Sequence, residues 1–363
     1  MTRQDFDVVV IGAGPAGTAA ALRAADLGAK TALVTRGAFG GMSANEGPIP
    51  VRTLAHAARL AREARQLPRY GISVGTPSLD YDRLIARARE VVDEARGNST
   101  LLQQVRSVGV ALFENSGTAG FDDAHTVASE RGPLLRGNSV VVCSGGVSRA
   151  LDVPGAELTV TPADAFGLRQ LPESLLVVGA GATGMQVASI FNDLGSKIVL
   201  CQTGPRIAPS EDAEVSIELA RAYREHGIDV HENCGPIERF EAIDGRVRTV
   251  FRSREPVETQ LVVSCIGWVA DTERLNLRAA GVRTSSRGFI EVDDYRRTSA
   301  SHVFAAGDVI GRSMLVPQAV RDGYVAGGNA ATGKLFPVPG GLEPIGSFTD
   351  PEYAKVGLTE DEA

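Results

Sequence analysis

Two glycine-rich stretches hold the residues whose types and spacing could do chemistry. Residues 8–17, VVVIGAGPAG, set Gly12, Gly14 and Gly17 in the order Gly-x-Gly-x-x-Gly, and residues 175–184, LLVVGAGATG, do the same with Gly179, Gly181 and Gly184. This spacing suits phosphate binding. The first glycine permits a tight turn, the second lets a pyrophosphate approach the backbone, and the third lets a helix pack closely on its strand. Free N–H groups and the positive dipole end of the following helix then face the anion. Pro15, Ala16, Ala182 and Thr183 complete the two loops. One such motif is weak, because glycines also mark ordinary turns. Here the copies match without a gap at a constant offset of 167 residues, and Asp26, Leu27, Gly28 and Lys30 recur as Asp193, Leu194, Gly195 and Lys197. The repeat implies two bound dinucleotides, or one unit that has lost its ligand.

The elements that must position these loops are legible nearby. Val8–Ile11 is a continuous apolar run, as a buried parallel strand requires. Thr18–Leu27 is Ala-rich without a breaker and predicts a helix, and Lys30–Val34 predicts the second strand. A ribose-binding carboxylate is expected about 20 residues past the glycines. That place holds Thr35-Arg36 in the first unit and Gln202-Thr203, after the strand Ile198–Cys201, in the second. Thr35 can still hydrogen-bond a ribose hydroxyl. An amphipathic helix is predicted over Thr53–Leu67, and a long charged helical pattern runs from Asp80 to Val110. The fold class is α/β, with two Rossmann-like dinucleotide-binding domains.

Composition narrows the function. A hydrophobic content of 43% with 22% charged residues is that of a soluble globular protein, and 363 residues allow two to three domains. The balance of 37 basic against 44 acidic side chains, a net −7, argues against a nucleic-acid or anionic-membrane surface. No apolar run reaches transmembrane length, and the cytoplasm is the expected location. Cys143, Cys201, Cys234 and Cys265 lie far apart, without a CxxC or metal-ligand pattern, and each is expected to be a small buried apolar residue. The arginines Arg59, Arg62 and Arg65 are expected on a solvated helix face. No metal site is expected.

Residues 39–52, FGGMSANEGPIPVR, carry a family resemblance. They resemble the GGxCxNxGCxPSK motif of the FAD- and pyridine-nucleotide-dependent disulfide oxidoreductases, such as dihydrolipoamide dehydrogenase, glutathione reductase and mercuric reductase. Gly40, Gly41, Asn45, Gly47 and Pro50 stay in register. The redox cysteine positions hold Ser43 and Pro48, the lysine position holds Arg52, and Met42 precedes the first cysteine position. Gly117–Phe121, including Ala119, resembles the segment that meets the adenine. Residues 139–146, SVVVCSGG, with Ser144 and Gly145, resemble the strand and turn that leave the first domain. Leu261–Asp271, with Gly267, resembles the corresponding strand and turn of the second. Ala306-Gly307-Asp308 resembles the FAD signature whose aspartate binds the ribityl chain. Gln186 stands where many relatives carry a glutamate paired with the lysine, and Ala182 where some have an aromatic gate.

The resemblance implies FAD at Gly12, Gly14, Pro15, Ala16, Gly17, Thr35, Arg36, Gly40, Gly41, Met42, Ala119, Ser144, Gly145, Gly307 and Asp308. It implies NAD(P)H at Gly179, Gly181, Ala182, Thr183, Gly184, Gln202 and Gly267, with Ser43, Arg52 and Gln186 as catalytic candidates. Arg52 is either a flavin-edge cation or a helix-surface arginine. The expected domains are an FAD domain at 1–155 and 286–340, an NAD(P) domain at 156–285, and the start of a C-terminal α+β interface domain at 341–363. A complete interface domain would be longer, so the chain is expected to be a fragment or a truncated product, and a homodimer is expected only with that domain whole. A serine and a proline cannot cycle through a disulfide. The expected activity is therefore FAD-dependent NAD(P)H oxidation with direct transfer to a small acceptor such as a quinone. The alternatives are a disulfide, dihydrolipoamide or mercuric reductase, and a non-catalytic flavoprotein sensor or subunit.

Overall fold

The computed structural model describes residues 2–363, which divide into two compact units. Among the described residues the first comprises 2–49, 92–147 and 268–341, and the second 50–91, 148–267 and 342–363. Residues 50–91 and 342–363 thus pack with the second nucleotide unit, whereas the expected boundaries put 50–91 with the first.

In the first unit the apolar run becomes the strand Arg3–Ile11, followed by the helix Pro15–Asp26 and the strand Thr31–Val34. Arg3–Ile11 pairs in parallel with Thr31–Val34 on one side and Leu134–Val142 on the other. Ala111–Phe113 extends the sheet beyond Thr31–Val34, and Val303–Ala305 pairs with the end of Leu134–Val142. A crossover helix can lie against such a parallel sheet only if both faces are apolar, and Val8, Val9 and Val10 are fully buried. The helix Val316–Thr332 crosses the helix Pro15–Asp26 at very short range. A Cβ on Gly323 would stand 2.0 Å from the Ala16 carbonyl oxygen, and one on Gly327 would stand 2.2 Å from that of Ala20. Small residues on both helices permit this.

The second unit repeats the design. Ser174–Val178, Ala182–Leu194 and Lys197–Cys201 form strand, helix and strand. The pairing Leu175↔Ile198 stands at the same register as Val8↔Thr31, displaced by the repeat offset. Asp229–His231 and Leu261–Ser264 complete a four-stranded parallel sheet, and Ile237–Ile243, Arg246–Phe251 and Val257–Thr259 form an antiparallel one.

The helix Pro48–Gln66 begins five residues before the expected start, because prolines are compatible with a first helical turn. Its buried residues Val51, Leu54 and Ala58 recur at helical spacing and enter the second unit's core. The long charged pattern splits into Tyr81–Gly97 and Thr100–Ser107, where Ser99 caps the second helix by accepting from the Leu102 N–H. Arg62 is not solvated as expected. It bonds Asp193 and Asp350 and keeps 21% of its side chain exposed. No helix among the described residues is long and apolar enough to cross a membrane.

Candidate functional site

The protein itself explains two glycines of each loop but not the third. Gly12 has φ of +102°, and a Cβ there would lie 2.2 Å from the Cys143 carbonyl oxygen. On Gly17 it would lie 1.7 Å from the Gly12 carbonyl oxygen. Gly14, at φ of −75°, could hold any residue, and its Cβ would meet nothing closer than the Gly41 Cα at 3.9 Å. The second loop repeats this pattern. Gly179 backs onto the Cys265 carbonyl at 2.5 Å, Gly184 onto Gly179 at 1.9 Å, and Gly181, at φ of −76°, has nothing within 4 Å. The helices starting at Pro15 and Ala182 have no side-chain cap, so their first-turn N–H groups remain donors. Bare backbone beside uncapped donors is a cradle for an anion.

Three observations in the first unit fit FAD. The Asp308 carboxylate, in the turn after Val303–Ala305, has no hydrogen-bond partner among the described residues, and burial pushes its pKa up. A half-buried carboxylate without partners is unfavourable unless a ligand brings donors, and sugar hydroxyls are donors. The Ser144 hydroxyl is likewise buried and unpartnered, next to Gly145 at φ of +85°. Thr35 is buried just past the strand Thr31–Val34, the place where such a unit meets the ribose. Arg36 pairs with Asp271 at 2.7 Å, and Ala119 opens the strand Ala119–Phe121.

The segment that resembles the redox motif is fastened to the first loop. The Gly40 N–H donates to the Ala13 carbonyl at 2.9 Å, and Gly41 packs on Gly14 so closely that a Cβ would come within 2.7 Å of its Cα. Gly41–Asn45 makes a short helix in which the Ser43 hydroxyl donates to the Gly40 carbonyl at 3.1 Å. Asn45 donates to the Gly41 carbonyl at 2.8 Å, and the Met42 carbonyl accepts from Gly47. Ser43 therefore pins the turn, and Pro48 opens the next helix.

In the second unit Gln202 accepts from the Ala180 N–H at 3.0 Å, so its side chain braces the glycine loop. Thr183 lies in the first turn of its helix, and Gly267 has φ of +109° with open space where a Cβ would stand. The Arg52 guanidinium lies over the Phe348 ring at 4.7 Å. No hydrogen bond joins Arg52 to Gln186 among the described residues, although both belong to this unit.

The cysteines divide. Burial pushes the Cys143 thiol far up and Cys265 to about 12, as apolar thiols behave. Cys234 departs from the expectation, because its thiol donates to the His231 carbonyl at 3.1 Å and meets the Arg254 guanidinium at 3.5 Å. No sequence spacing signals this cluster.

A family model described as "Pyridine nucleotide-disulphide oxidoreductase" matches residues 6–323. The dihydrolipoyl dehydrogenase of Zymomonas mobilis is 32% identical over 376 residues, covering 99% of this chain and 78% of that protein. The mercuric reductase of Bacillus cereus is 31% identical, covering 99% of this chain and 57% of that one. The solved HOCl-induced flavoprotein disulfide reductase RclA from Escherichia coli shares the fold, with a TM-score of 0.84 at 24% identity over 98% of this chain and 78% of that chain. These relatives' names favour the disulfide- or mercuric-reductase alternative over the quinone acceptor. With both glycine loops and the matched length, the chain belongs to the pyridine nucleotide-disulphide oxidoreductase family.

Proposed function

We propose that the chain is an FAD-dependent NAD(P)H oxidoreductase that serves a small electron acceptor without a dithiol next to the flavin. The carrying observation is that Gly14 and Gly181 are the loop glycines that the protein's own packing does not require. When bound, FAD would supply hydride chemistry between a reduced nicotinamide and the acceptor. The chain's own residues bind and orient. The Gly12–Gly17 loop and the helix start at Pro15 hold the pyrophosphate, Asp308 accepts from the sugar chain, and the Gly179–Gly184 loop holds the nicotinamide dinucleotide. Arg52 is the catalytic candidate for stabilising negative charge, with Gln186 beside the second loop. The Ser43 hydroxyl stays protonated near neutral pH and already serves the Gly40 carbonyl, so it holds the turn and carries no electrons.

A second reading, reduction of a disulfide or of mercuric ion, draws on the names of the relatives. It needs a thiol pair that Ser43 and Pro48 do not provide. Purified protein should carry FAD and consume NAD(P)H with a quinone, and lipoamide or mercuric ion should give no comparable rate. Turnover with lipoamide or mercuric ion alone would reverse the choice.

A further inference from the structure

The Arg52 guanidinium makes no hydrogen bond or ion pair among the described residues, and it lies over the Phe348 ring at 4.7 Å. An exposed arginine without a partner ordinarily keeps its rotamer freedom in water. Here the turn that carries the ring is fastened to the second unit at several points. Phe348 directly follows the strand Ile345–Ser347, which pairs antiparallel with Tyr353–Lys355. The Thr349 hydroxyl closes the turn by donating to the Pro351 carbonyl at 2.6 Å. The Asp350 N–H donates to the Ser189 hydroxyl at 3.0 Å, and the Asp350 carboxylate meets the Arg62 guanidinium at 3.1 Å and the His226 ring at 3.3 Å.

These anchors are the helices that bear the catalytic candidates. Ser189 belongs to the helix Ala182–Leu194, which carries Gln186, and Arg62 belongs to the helix Pro48–Gln66, which carries Arg52. One aspartate two residues past the ring thus ties its turn to both. Phe348 itself keeps 40% of its surface exposed above this fixed turn, so burial in the core does not account for it.

We propose that Phe348 is a positioning residue for Arg52. A ring face attracts a guanidinium over it and leaves the N–H donors, which lie in the guanidinium plane, free to bind. The contact narrows the directions that the side chain takes without consuming a donor. A carboxylate partner would do the opposite, since a bidentate pair occupies two donors and offsets the charge. The planar, weakly hydrated guanidinium suits a ring face better than an ammonium does, which gives the arginine at this position a physical reason. This role rests on the reading of Arg52 as the group that stabilises negative charge during electron transfer.

The test is a double-mutant cycle of Arg52→Ala and Phe348→Leu in the full-length protein, read in two ways. In urea denaturation the two changes should be coupled, with the unfolding constant of the double variant departing about two- to fivefold from the product of the single effects. In steady-state NAD(P)H–quinone turnover of the flavin-loaded protein, Phe348→Leu should lower kcat by about the same two- to fivefold and leave the KM for NAD(P)H unchanged. It should lower kcat no further once Arg52 is alanine. Phe348→Trp, which restores a ring face, should keep kcat close to wild type. Phe348→Met takes the place of leucine in the cycle if leucine prevents folding. Absent coupling would overturn the proposal, and so would coupling in denaturation with an unchanged kcat, because the contact would then be structural only. A wild-type protein that binds FAD but does not oxidise NAD(P)H would overturn the reading of the site and this role with it, whereas a normal wild-type rate without coupling would overturn this role alone.

Discussion

Replacing Asp308 by alanine should weaken FAD binding without weakening the apoprotein. The Asp308 carboxylate has no internal hydrogen bond to lose, and burial already raises its pKa in the folded chain. A carboxylate with a raised folded pKa favours the folded state below its unfolded pKa and loses that advantage as pH rises through the folded one. At neutral pH the wild-type apoprotein therefore carries part of the cost of a half-buried charge. Alanine removes that cost, so the apoprotein melting temperature should stay level or rise, and its pH dependence across the acidic range should flatten. FAD, in contrast, loses a charged acceptor. A hydrogen bond to a charged group is worth about 1.5–3 kcal/mol, which weakens the FAD dissociation constant roughly 10- to 150-fold for each hydroxyl engaged. Flavin fluorescence titration and thermal denaturation of deflavinated protein measure the two effects. A variant that melts several degrees lower and binds FAD as tightly as wild type would refute the reasoning, because Asp308 would then be structural.

Other consequences are separable in the same way. Gly14→Ala should fold normally and lose FAD, whereas Gly181→Ala should keep FAD and raise the KM for NAD(P)H; spectra and kinetics of the two variants give the answer, and identical phenotypes would contradict two distinct sites. Nicotinamide preference should stay below about tenfold, or roughly 1.4 kcal/mol, because Gln202 is neither the carboxylate nor the cation that selects a ribose, and Gln202→Glu should move it toward NAD. Arg62→Ala takes the hydrogen-bonded partner from the buried Asp193 carboxylate and leaves only the Arg65 charge nearby, and a partly exposed pair of this kind should cost about 2–3 kcal/mol in urea denaturation; adding Asp193→Asn should recover most of that loss.

What was legible in the chain depended on range. The glycine loops, their strands and helices, and the register of the repeat are local patterns with a fixed offset, and the α/β reading followed from them. Asp308 stands out in the sequence only through its Ala-Gly-Asp context. The pairings that cross the sheet were not. Arg254 reaches the Cys234 sulfur at 3.5 Å from the bend that follows the strand Arg246–Phe251, 20 residues later in the chain. Arg62 sits on what reads as an ordinary charged helix face, and its acidic partners come from positions 131 and 288 residues later. Gln202 was noticed for its place at the strand end, but nothing local shows that its side chain braces the Ala180 N–H. The break at Ser99 was visible as Gly97-Asn98-Ser99, yet continuous charge patterning on either side conceals it.

The most direct test of the central claim is an anaerobic titration of the purified protein with NADH and NADPH. With Ser43 and Pro48 in the flavin-side motif, one equivalent of reduced nicotinamide should bleach each FAD, and no thiolate-to-flavin charge-transfer absorbance should appear. Uptake of a second equivalent per FAD together with a charge-transfer band would show that a disulfide takes part and contradict direct transfer, and a flavin that ignores both nucleotides would contradict the second dinucleotide site.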